Sequence, residues 1–514
     1  MSGRGESAVD GGFTRHGKSS YGMTLWAAVM SVITAVWMAE HVSTQRVIVT
    51  MTVVMVASVV AVSAAESSFA RWVAGAVVFV CVLVGGARSV VEWSTVDRVT
   101  SHDYSGAATV VSDPDPVGRA VRVVLRIDGV RFESWVYGRT ARIVSRLEPG
   151  RVIAVDGRVR GIDGPAGRRL ALRHVLGRFE VDHIDVESLG VGERGIDLIA
   201  NRLRRMMRDG AGGLDAPLDE LFAGLVYGDD RAQPEEMIAR FRASGLAHLT
   251  AVSGQNVVYV LSVFGVLITR LRRWWRLTAT VAVLGWFVVL TRAEPSVLRA
   301  ATMATVAAIG FAVGGRLRTS DVLAISMVVL VAVDPFLVWS VGWWLSIGGT
   351  LGLVVLNPRL TTWWSRVRGR TPGFVAGTVI TTVSAQCGVL PVASVVFGWP
   401  NALSTVCNVL AVPVAGVVML VGIPVSMVAG LLPASVGEAC MWPVGLMVSW
   451  VDRVASLGSR FHPSAPVDAI VAVATAVLVG YVSLIAVHRP TVGAPSTTGV
   501  PTLGDGRVPL PRSR

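Results

Sequence analysis

Long runs of hydrophobic residues, separated by short basic loops, make up most of this chain. Three runs fall within residues 23–88, and a second hydrophobic segment covers residues 246–488. The second segment divides into runs at about 246–269, 277–291, 297–314, 321–333, 336–356, 374–398, 402–432, 438–456 and 467–487. A run of about 20 apolar residues can cross a bilayer as a helix. The pattern predicts a polytopic α-helical membrane protein with about 12 spans. Pro391, Pro413 and Pro424 lie in the middle of such runs and predict interrupted helices there.

Residues 98–190 have a different pattern, in which apolar and polar residues alternate over short stretches. The segments AVRVVLRI, VRFESWVYG and RVIAVDGRVRGI are typical of strands. Asp128-Gly129 and Asp163-Gly164-Pro165 predict turns between strands. About five or six strands in about ninety residues favour a small barrel of the OB type. The fold class therefore includes an inserted all-β OB-like domain at 98–190.

Basic and aromatic residues in this β domain form a candidate DNA surface, because arginines contact phosphates and aromatic rings stack on bases. The candidates are Arg119, Arg122, Arg126, Arg131, Trp135, Tyr137 and Arg139. The alternative is structural, since acidic residues are nearly as numerous and aromatic side chains on a strand face often belong to a core. The sequence leaves both interpretations open.

The distribution of basic residues predicts how the chain is oriented in the membrane. The chain has a formal net charge of +12, with 52% hydrophobic and 16% charged residues. Basic residues favour the cytoplasmic side of a membrane, and the polar N-terminal tail 1–22 is basic. The loops near Arg272, Arg318 and Arg368 are basic as well. We therefore predict a multi-pass protein of the cytoplasmic (plasma) membrane, with both termini inside and the β domain extracytoplasmic.

The two ends of the chain carry no predicted function. Residues 1–22 and 489–514 are polar and predicted to be disordered cytoplasmic tails. Residues 12–19 match the P-loop pattern, but a P-loop needs a strand before it and a helix after it, so we predict no nucleotide site. The four cysteines lie in apolar runs without a CxxC pair, so no metal site and no cofactor is predicted.

Residues 193–245 form an amphipathic connector between the β domain and the second membrane segment. Arginines alternate with Ile, Leu and Met at helical spacing over 194–208, which predicts a helix lying on the membrane surface. Asp229-Asp230 precedes Pro234, and this position favours a turn or a helix cap over a cation site.

Polar residues are concentrated at the start of the run Leu246–Thr269, which we predict to be one helix. At 3.6 residues per turn, His248, Gln255, Asn256 and Tyr259 share one stripe, and Ser253-Gly254 is a point where the helix can bend or unwind. Polar groups at membrane depth face a wet cavity or a partner helix. The sequence therefore allows two roles for this polar stripe: it lines a permeation path, or it forms hydrogen bonds between helices.

Several motifs resemble one family in sequence and in order. They are GLVYGDDR, FRASGLAHLTAVSGQNV, EPSVLRAATMA, VDPFLVWSVGWWLSIGGTLGL, QCGVLPVASVVFG and NALSTVCNVLAVPVAGVVML. Together they resemble the ComEC competence family of DNA-uptake membrane channels and extend over about half of the chain. The chain departs from the family pattern at Gln255-Asn256, where many members have Leu-His, and at Trp343-Trp344, where many have Phe-Gln.

The resemblance implies that residues 246–488 form a competence-type channel domain that passes single-stranded DNA during natural transformation. The candidate DNA path is His248, Ser253, Gln255, Asn256, Arg292, Arg299, Gln386 and Asn408. Implied partners are single-stranded DNA, the lipid bilayer, an extracytoplasmic DNA receptor and a cytoplasmic ATPase or helicase. A second copy of the chain, as a homo-oligomer, is a further candidate.

Arg299 is the most informative residue of this path, because it follows Pro295 by four residues at the start of a predicted membrane helix. A cation at this depth requires a partner. One candidate partner is a carboxylate, from Glu294 or Asp334, and the other is a DNA phosphate. Arg292 is predicted to stand at the same mouth of the membrane segment.

Many members of this family carry a metallo-β-lactamase-like nuclease domain, but the chain has no HxHxDH cluster. We therefore predict the form without that domain, which transports DNA and is not an enzyme. The main alternative is a secondary transporter for a small anionic substrate, which Arg299 would also suit. A serine hydrolase built on Ser253 is disfavoured, because His248, five residues earlier on the same helix, is badly placed to act as its base.

Overall fold

The computed structural model describes residues 99–162, 164–185, 195–250, 252–314, 317–461 and 465–488, together with a few isolated positions between 26 and 89. Both predicted tails and the P-loop-like segment lie outside the described residues, as does most of the N-terminal segment 23–88.

The β domain contains six strands and two short helices. Its elements are β1 His102–Val110, β2 Asp115–Val117, β3 Ala120–Ile127, β4 Val130–Tyr137, α1 Gly138–Val144, β5 Val152–Gly161, α2 Gly164–Ala171 and β6 Gly177–Asp185. Strand pairing follows the order β1-β5-β6-β4-β3, and β1 also pairs with β3, which closes the barrel. Only the β4–β6 pair is parallel in this domain. This topology, with α1 between the third and fourth barrel strands, is that of an OB-fold, which confirms the predicted small barrel.

Local sequence explains the turns and the curvature of this barrel. Asp128 and Gly129 connect β3 to β4 with positive φ angles of 47° and 84°, as a tight hairpin turn requires. Gly157 lies at a register shift between β5 and β6, where a side chain would collide with the carbonyl of Glu180. Of the turn predicted at Asp163-Gly164-Pro165, Asp163 lies outside the described residues, and Gly164 and Pro165 begin α2 rather than a hairpin. Proline suits the first turn of a helix, since its missing N–H has no intrahelical partner there.

The rest of the described chain is helical, and we call α3–α15 the helical unit. Its helices are α3 Ile196–Ala211, α4 Leu218–Tyr227, α5 Glu235–Ala243, α6 Ala247–Thr250, α7 Gly254–Ile268, α8 Arg273–Leu290, α9 Pro295–Val313, α10 Thr319–Val333, α11 Val341–Arg368, α12 Phe374–Val396, α13 Ser404–Ala429, α14 Ala434–Arg460 and α15 Ala465–His488. A 3-10 turn, Pro335–Trp339, connects α10 to α11.

Five of these helices are long and apolar enough to cross a membrane within the described residues. They are α9, α11, α12, α13 and the segment Pro466–Ile485 of α15, while α7 and α10 are apolar but shorter. The helices that cover the predicted spans 277–291 and 438–456, α8 and α14, are not in this set. The structure thus confirms a helical membrane protein with a β domain, but not the predicted number of spans.

Two predictions about helix continuity had opposite outcomes. The run 246–269 is not one helix but two, because α6 ends at Thr250 and Ser253 is extended, with φ −109° and ψ 163°. The predicted weak point at Ser253-Gly254 is therefore confirmed. The breaks expected at Pro391, Pro413 and Pro424 are absent, and α12 and α13 continue through them. A membrane helix tolerates a proline where neighbouring helices compensate for the missing backbone hydrogen bond.

Helices α11 and α12 approach each other so closely that their contact is made by backbone. Gly348 and Gly352 of α11 lie against Gly388 of α12. A Cβ atom added to Gly388 would lie 2.9 Å from Cα of Gly352 and closer still to the carbonyl oxygen of Gly348. Small residues spaced four apart permit this approach between membrane helices.

Candidate functional site

Three arginines converge on one carboxylate where the barrel meets the helical unit. Asp113, in the loop between β1 and β2, accepts a hydrogen bond of 2.8 Å from Nη1 of Arg204. Nε of Arg292 lies 3.3 Å from the same oxygen, and Nη1 of Arg231 lies 3.7 Å from the other. We call Asp113, Arg204, Arg231 and Arg292 the junction cluster. Their side chains are between 6% and 23% exposed, so the charges interact with little screening by water.

Two of these arginines are held by groups other than Asp113. Nε of Arg204, on α3, donates to the carbonyl oxygen of Leu290 at 2.8 Å. Arg231 donates two parallel hydrogen bonds to the carboxylate of Asp229, of 2.7 and 2.6 Å. Such paired bonds fix the plane of a guanidinium as well as its position. Asp229 is therefore an ion-pair partner of Arg231, and the turn before Pro234 begins after it, at Arg231.

The third arginine, Arg292, lies in a strained turn between α8 and α9. Arg292 and Ala293 have positive φ angles of 58° and 56°, a backbone conformation that costs about 1–2 kcal/mol for each residue that is not glycine. Nη2 of Arg292 donates to the side-chain oxygen of Asn201 on α3. The strained turn brings the Arg292 side chain to Asp113, so the prediction that Arg292 stands at the mouth of the membrane segment agrees with its position beside the start of α9.

Burial and charge shift the pKa values of groups in and around the cluster. Burial lowers the pKa of Arg204, although the nearby Asp113 opposes this. Burial would raise the pKa of Asp229, but the hydrogen bonds and charge of Arg231 outweigh burial and hold this pKa below its ordinary value. Asp229 therefore stabilises the folded chain fully above the ordinary carboxyl pKa, and this contribution is lost as the pH falls through its depressed pKa.

The predicted polar stripe of His248, Gln255, Asn256 and Tyr259 is wrong as one continuous face, because the break at Ser253 separates α6 from α7. His248 lies on α6 and is exposed. Asn256 is buried and accepts a hydrogen bond of 2.9 Å from the hydroxyl of Ser253. Gln255 is exposed and donates to the hydroxyl of Tyr259 at 2.5 Å. The structure thus places Gln255 on the surface of the helical unit and Asn256 within it.

We expect single cysteines at these two adjacent positions to differ in reactivity. In a variant with Cys81, Cys387, Cys407 and Cys440 replaced by alanine, a cysteine at 255 should react readily with a water-soluble maleimide. A cysteine at 256 should react slowly, because Asn256 is only 7% exposed. The measurement is the labelling rate in membranes. Equal rates at the two positions would contradict this description of the start of α7.

Arg299 lies in the second turn of α9 and is only 2% exposed. Neither of its terminal nitrogens, Nη1 and Nη2, has a hydrogen-bond partner among the described residues. Asp334, one of the two expected carboxylate partners, instead bonds Nε2 of His174 at 3.1 Å and caps the turn at Phe336. Glu294, the other, forms no ion pair with Arg299 within the described chain. A buried guanidinium without an acceptor is strongly unfavourable, so Arg299 requires an acceptor beyond the described residues.

The two remaining path candidates, Gln386 on α12 and Asn408 on α13, are brought together at Ser404. Nε2 of Gln386 donates to the Ser404 hydroxyl at 3.2 Å, and the hydroxyl of Thr405 donates to Oε1 of Gln386 at 2.6 Å. Nδ2 of Asn408 donates to the Ser404 carbonyl at 2.8 Å. The contacts of Gln386 join α12 to α13, while the contact of Asn408 lies within α13.

The candidate DNA surface of the barrel is partly assembled. Arg122 lies opposite Trp135, and Arg126 opposite Arg131, on the outer face of the β3–β4 pair. Burial and the charge of Arg126 lower the pKa of Arg131, as expected for like charges held side by side. The remaining candidates, Arg119, Tyr137 and Arg139, are exposed.

Two of these side chains are engaged by acids within the barrel. Asp115 accepts a hydrogen bond of 2.7 Å from Arg122. Glu133 accepts one of 2.9 Å from the indole N–H of Trp135. On this face, Arg126 and Arg131 are therefore the candidate arginines that no acid among the described residues neutralises.

Loops of the barrel dock on the helical unit. The β1–β2 loop supplies Asp113, and His174, between β5 and β6, bonds Asp334. In OB-folds, the loops after the first strand and between the last two strands border the ligand-binding face. Here both loops point towards the helices, so the edge with which an OB-fold binds its ligands adjoins the mouth of the helical unit.

The sequence did not predict the roles of Asp113, Arg204 and Arg231. One signal was available for Arg204, which shares a helix face with Ala200, Met207 and Ala211, all of them buried. An arginine in the middle of an apolar face is a sign of an internal partner. The predicted amphipathic helix exists as α3, but Arg204 lies on its buried face, while Ile196 and Ile199 are exposed.

The family model described as Competence protein matches residues 225–489. This segment is more than half of the 514 residues. The chain belongs to the Competence protein family. With several helices long and apolar enough to span a membrane, this competence protein is a multi-pass protein of the cytoplasmic membrane.

One curated relative of this competence protein is ComE operon protein 3 of Bacillus subtilis (strain 168). The two are 27% identical over 232 residues, which is 45% of this chain and 29% of the relative. The chain thus matches less than a third of the length of that relative. No solved structure matches the chain.

The family match does not cover the whole junction cluster of this competence protein. It includes Arg231, Arg292 and Arg299. It does not include Arg204 or the barrel residue Asp113, which both precede residue 225. The family segment therefore contributes two arginines of the cluster, and the preceding domain and connector contribute the other two members.

Trp343 and Trp344, where the sequence departs from the family pattern, both belong to the core of the helical unit. Trp343 is fully buried, and its ring centroid lies 4.9 Å from that of Trp344. The indole N–H of Trp344 donates to the carbonyl oxygen of Val338 at 2.7 Å. In this competence protein the pair packs between helices.

Proposed function

We propose that this competence protein passes single-stranded DNA across the cytoplasmic membrane during natural transformation. The observation that carries this proposal is Arg299, a buried guanidinium in the segment that matches the family, whose two terminal nitrogens have no hydrogen-bond partner among the described residues. A phosphodiester supplies the negative charge and the acceptor oxygens that Arg299 lacks. Consecutive phosphates of a strand would meet the junction cluster first and Arg299 next.

The proposal assigns different tasks to the two parts of the structure. The barrel holds the strand at the mouth, where its OB-fold loops adjoin the junction cluster. The helical unit provides the passage, with Gln255 at its polar surface and Arg299 inside. The proposed partners are single-stranded DNA, an extracytoplasmic DNA receptor, and a cytoplasmic ATPase or helicase that supplies energy. Assembly as a homo-oligomer also remains a proposal.

Deletion of the gene in a transformable strain tests this function. Cells are given end-labelled duplex DNA, and label that becomes resistant to external nuclease is measured together with label bound at the surface. We expect the deletion to remove the protected label and to leave surface binding intact, and the wild-type gene to restore it. Protected label that persists in the deletion strain would contradict the proposal.

Transport of a small anion is a second candidate, because one buried guanidinium also suits a small carboxylate or phosphate. The two candidates differ in which substrate is no longer taken up when the protein is lost. If DNA is the substrate, loss of the protein leaves the uptake of small labelled anions unchanged while DNA uptake fails. The opposite pattern would select the transporter.

The orientation of the barrel is part of the proposal. We expect the barrel to face the outside, because basic loops of the helical unit favour the cytoplasm. In the cysteine-free variant, a cysteine at exposed Arg119 should react with a membrane-impermeant maleimide in intact cells. A cysteine at exposed Arg370, in a predicted cytoplasmic loop, should react only after lysis. The reverse result would place the barrel inside.

Transport without cleavage also remains a proposal. Within the described residues, no three His, Cys, Asp or Glu side chains are grouped to hold a metal ion. The purified chain should therefore leave labelled single-stranded DNA intact in the presence of zinc or manganese. Degradation that disappears when residues of this chain are substituted would show that it is a nuclease.

A further inference from the structure

Asp113 is bound in the junction cluster as an anionic ligand would be. Its carboxylate reaches Arg204, 91 residues away in sequence, and Arg292, 179 residues away. Arg231 is already paired with Asp229, which leaves the charges of Arg204 and Arg292 to Asp113. Asp197 is a further acid, half exposed and 3.5 Å from Arg292, and the charges of Asp229 and Glu294 act on Arg204 without an ion pair to it among the described residues. Asp113 therefore provides the main neutralising charge for two buried or largely buried cations.

The three arginines around Asp113 belong to the helical unit, which supplies most of the groups that fix them. The barrel adds two backbone carbonyls, because Pro114 accepts from Arg231 at 3.4 Å and Pro149 accepts from Asn201 at 2.9 Å. Arg204 is fixed by the carbonyl oxygens of Leu290, at 2.8 Å, and Tyr227, at 3.4 Å. Arg292 is fixed by Asn201 and by the strained turn that carries it. Strained backbone that persists in a structure is concentrated at ligand-binding positions. Asp113 itself lies on a loop between two strands, and loops are more mobile than the elements they connect.

A phosphodiester has the same essential chemistry as the Asp113 carboxylate. Each carries one negative charge and presents two oxygens that accept hydrogen bonds from arginine. A guanidinium binds either group through parallel N–H donors. One phosphodiester can thus replace Asp113 without changing the net charge of the cluster.

We propose that Arg204, Arg231 and Arg292 form a phosphodiester-binding site, which Asp113 fills when no nucleic acid is bound. This proposal rests on the proposed function and deepens it by naming the first phosphate contact at the mouth. Exchange of Asp113 for a phosphodiester frees the β1–β2 loop, which is one of the loops that border the ligand face of an OB-fold. The barrel then binds the strand that displaced its loop.

The test uses the full chain in phosphatidylcholine nanodiscs and a short fluorescent oligothymidylate. Asp113→Asn keeps the size of the side chain but removes its charge, so the internal competitor is weakened. We expect this variant to bind the oligonucleotide about tenfold more tightly than the wild type, as expected when a larger fraction of the site is open. The matched control is Asp103→Asn, on β1 of the same barrel but paired with Arg158 outside the cluster and outside the candidate DNA surface, and it should leave the affinity unchanged.

A second substitution connects the gain to the arginines. Adding Arg292→Gln to Asp113→Asn should remove the tenfold gain, because the released cation is then missing. The proposal is overturned if correctly folded Asp113→Asn binds no more tightly than the wild type, or if Asp103→Asn produces the same gain. It is also overturned if the gain persists in the double variant.

Hydrogen–deuterium exchange on the unmodified protein covers the case in which Asp113→Asn does not fold. Oligothymidylate should increase exchange in the β1–β2 loop, residues 111–114, because the loop is released. Unchanged or slower exchange there, while the oligonucleotide is bound, would contradict displacement of Asp113.

Phosphodiesters also occur in phospholipid headgroups, so a parallel arm uses short-chain phosphatidylglycerol as the ligand. If it releases the loop and oligothymidylate does not, the site takes a headgroup rather than a DNA strand. Failure of this inference is distinct from failure of the proposed function. Asp113→Asn without any gain, in a strain whose DNA uptake still depends on the gene, would leave the channel proposal standing.

Discussion

Replacing Arg299 by methionine should abolish DNA uptake without destabilising the protein. The guanidinium is buried, and its two terminal nitrogens have no hydrogen-bond partner among the described residues. The substitution therefore breaks no hydrogen bond between these nitrogens and the described residues. An apolar side chain of similar length in place of a buried charge is often neutral or stabilising. Loss of a charge-assisted phosphate contact, in contrast, weakens binding by about 1.5–3 kcal/mol, which corresponds to about 10–100-fold.

Two measurements on the same strains separate these effects. Uptake is read as nuclease-protected label, and stability as the thermal unfolding midpoint of the detergent-solubilised protein. We expect Arg299→Met to retain or raise the midpoint, and Arg299→Lys to recover part of the uptake, because lysine keeps the charge but not the paired donors. Arg272→Gln, at an exposed arginine of the α7–α8 loop, is the control and should behave as wild type in both measurements.

Arg299 would be a structural residue if the substitution lowered the amount of inserted protein along with uptake. In that case its charge has a partner that stabilises the fold, and restoring expression should restore uptake. Normal amounts of an Arg299→Met protein that still takes up DNA would also contradict the assignment.

Alanine at Gly388 should destabilise the helical unit strongly, although the substitution adds only one methyl group. Its Cβ would meet the backbone of α11, at the Gly348 carbonyl and 2.9 Å from Cα of Gly352, and backbone atoms cannot rotate away. Overpacking typically costs about 1–3 kcal/mol and occasionally more, and here α11 and α12 must separate. We expect a clear fall in the unfolding midpoint and a smaller yield of monodisperse protein.

Gly377→Ala on the same helix is the matched control, since nothing lies within 4 Å of a Cβ at that position. It should be neutral or slightly stabilising, because alanine favours helix more than glycine does by about 1 kcal/mol. If Gly388→Ala and Gly377→Ala unfold at the same temperature, the close approach of α11 and α12 is wrong.

The barrel was predictable because its information is local. Alternation with period two marks the strands, and Asp128-Gly129 marks a hairpin turn, so the class of fold follows from short segments. The same reasoning located the break at Ser253-Gly254. It was wrong at Pro413 and Pro424, because whether a proline breaks a membrane helix depends on the neighbouring helices and not on the proline alone.

The junction cluster was not predictable because it depends on contacts between distant parts of the chain. Asp113 and Arg292 belong to different domains, and no local period connects them. Arg299 was identified from the sequence through its depth in a predicted helix, but only the structure shows that both expected carboxylates are placed elsewhere. Local sequence patterns identify charged residues whose burial is unfavourable. Tertiary contacts decide which of these charges are neutralised within the protein.

Contact between the passing strand and the helical unit beside the break at Ser253 is the central claim, and photo-crosslinking during uptake tests it most directly. A photoreactive amino acid replaces Gln255, beside the break, and, as a control, Val395, which is 84% exposed on the apolar helix α12. Cells taking up labelled DNA are irradiated, and the protein is isolated under denaturing conditions. We predict that position 255 crosslinks to labelled single-stranded DNA and that position 395 does not. Normal uptake with no crosslink at 255, or with equal crosslinking at 395, would show that the strand does not cross through this unit.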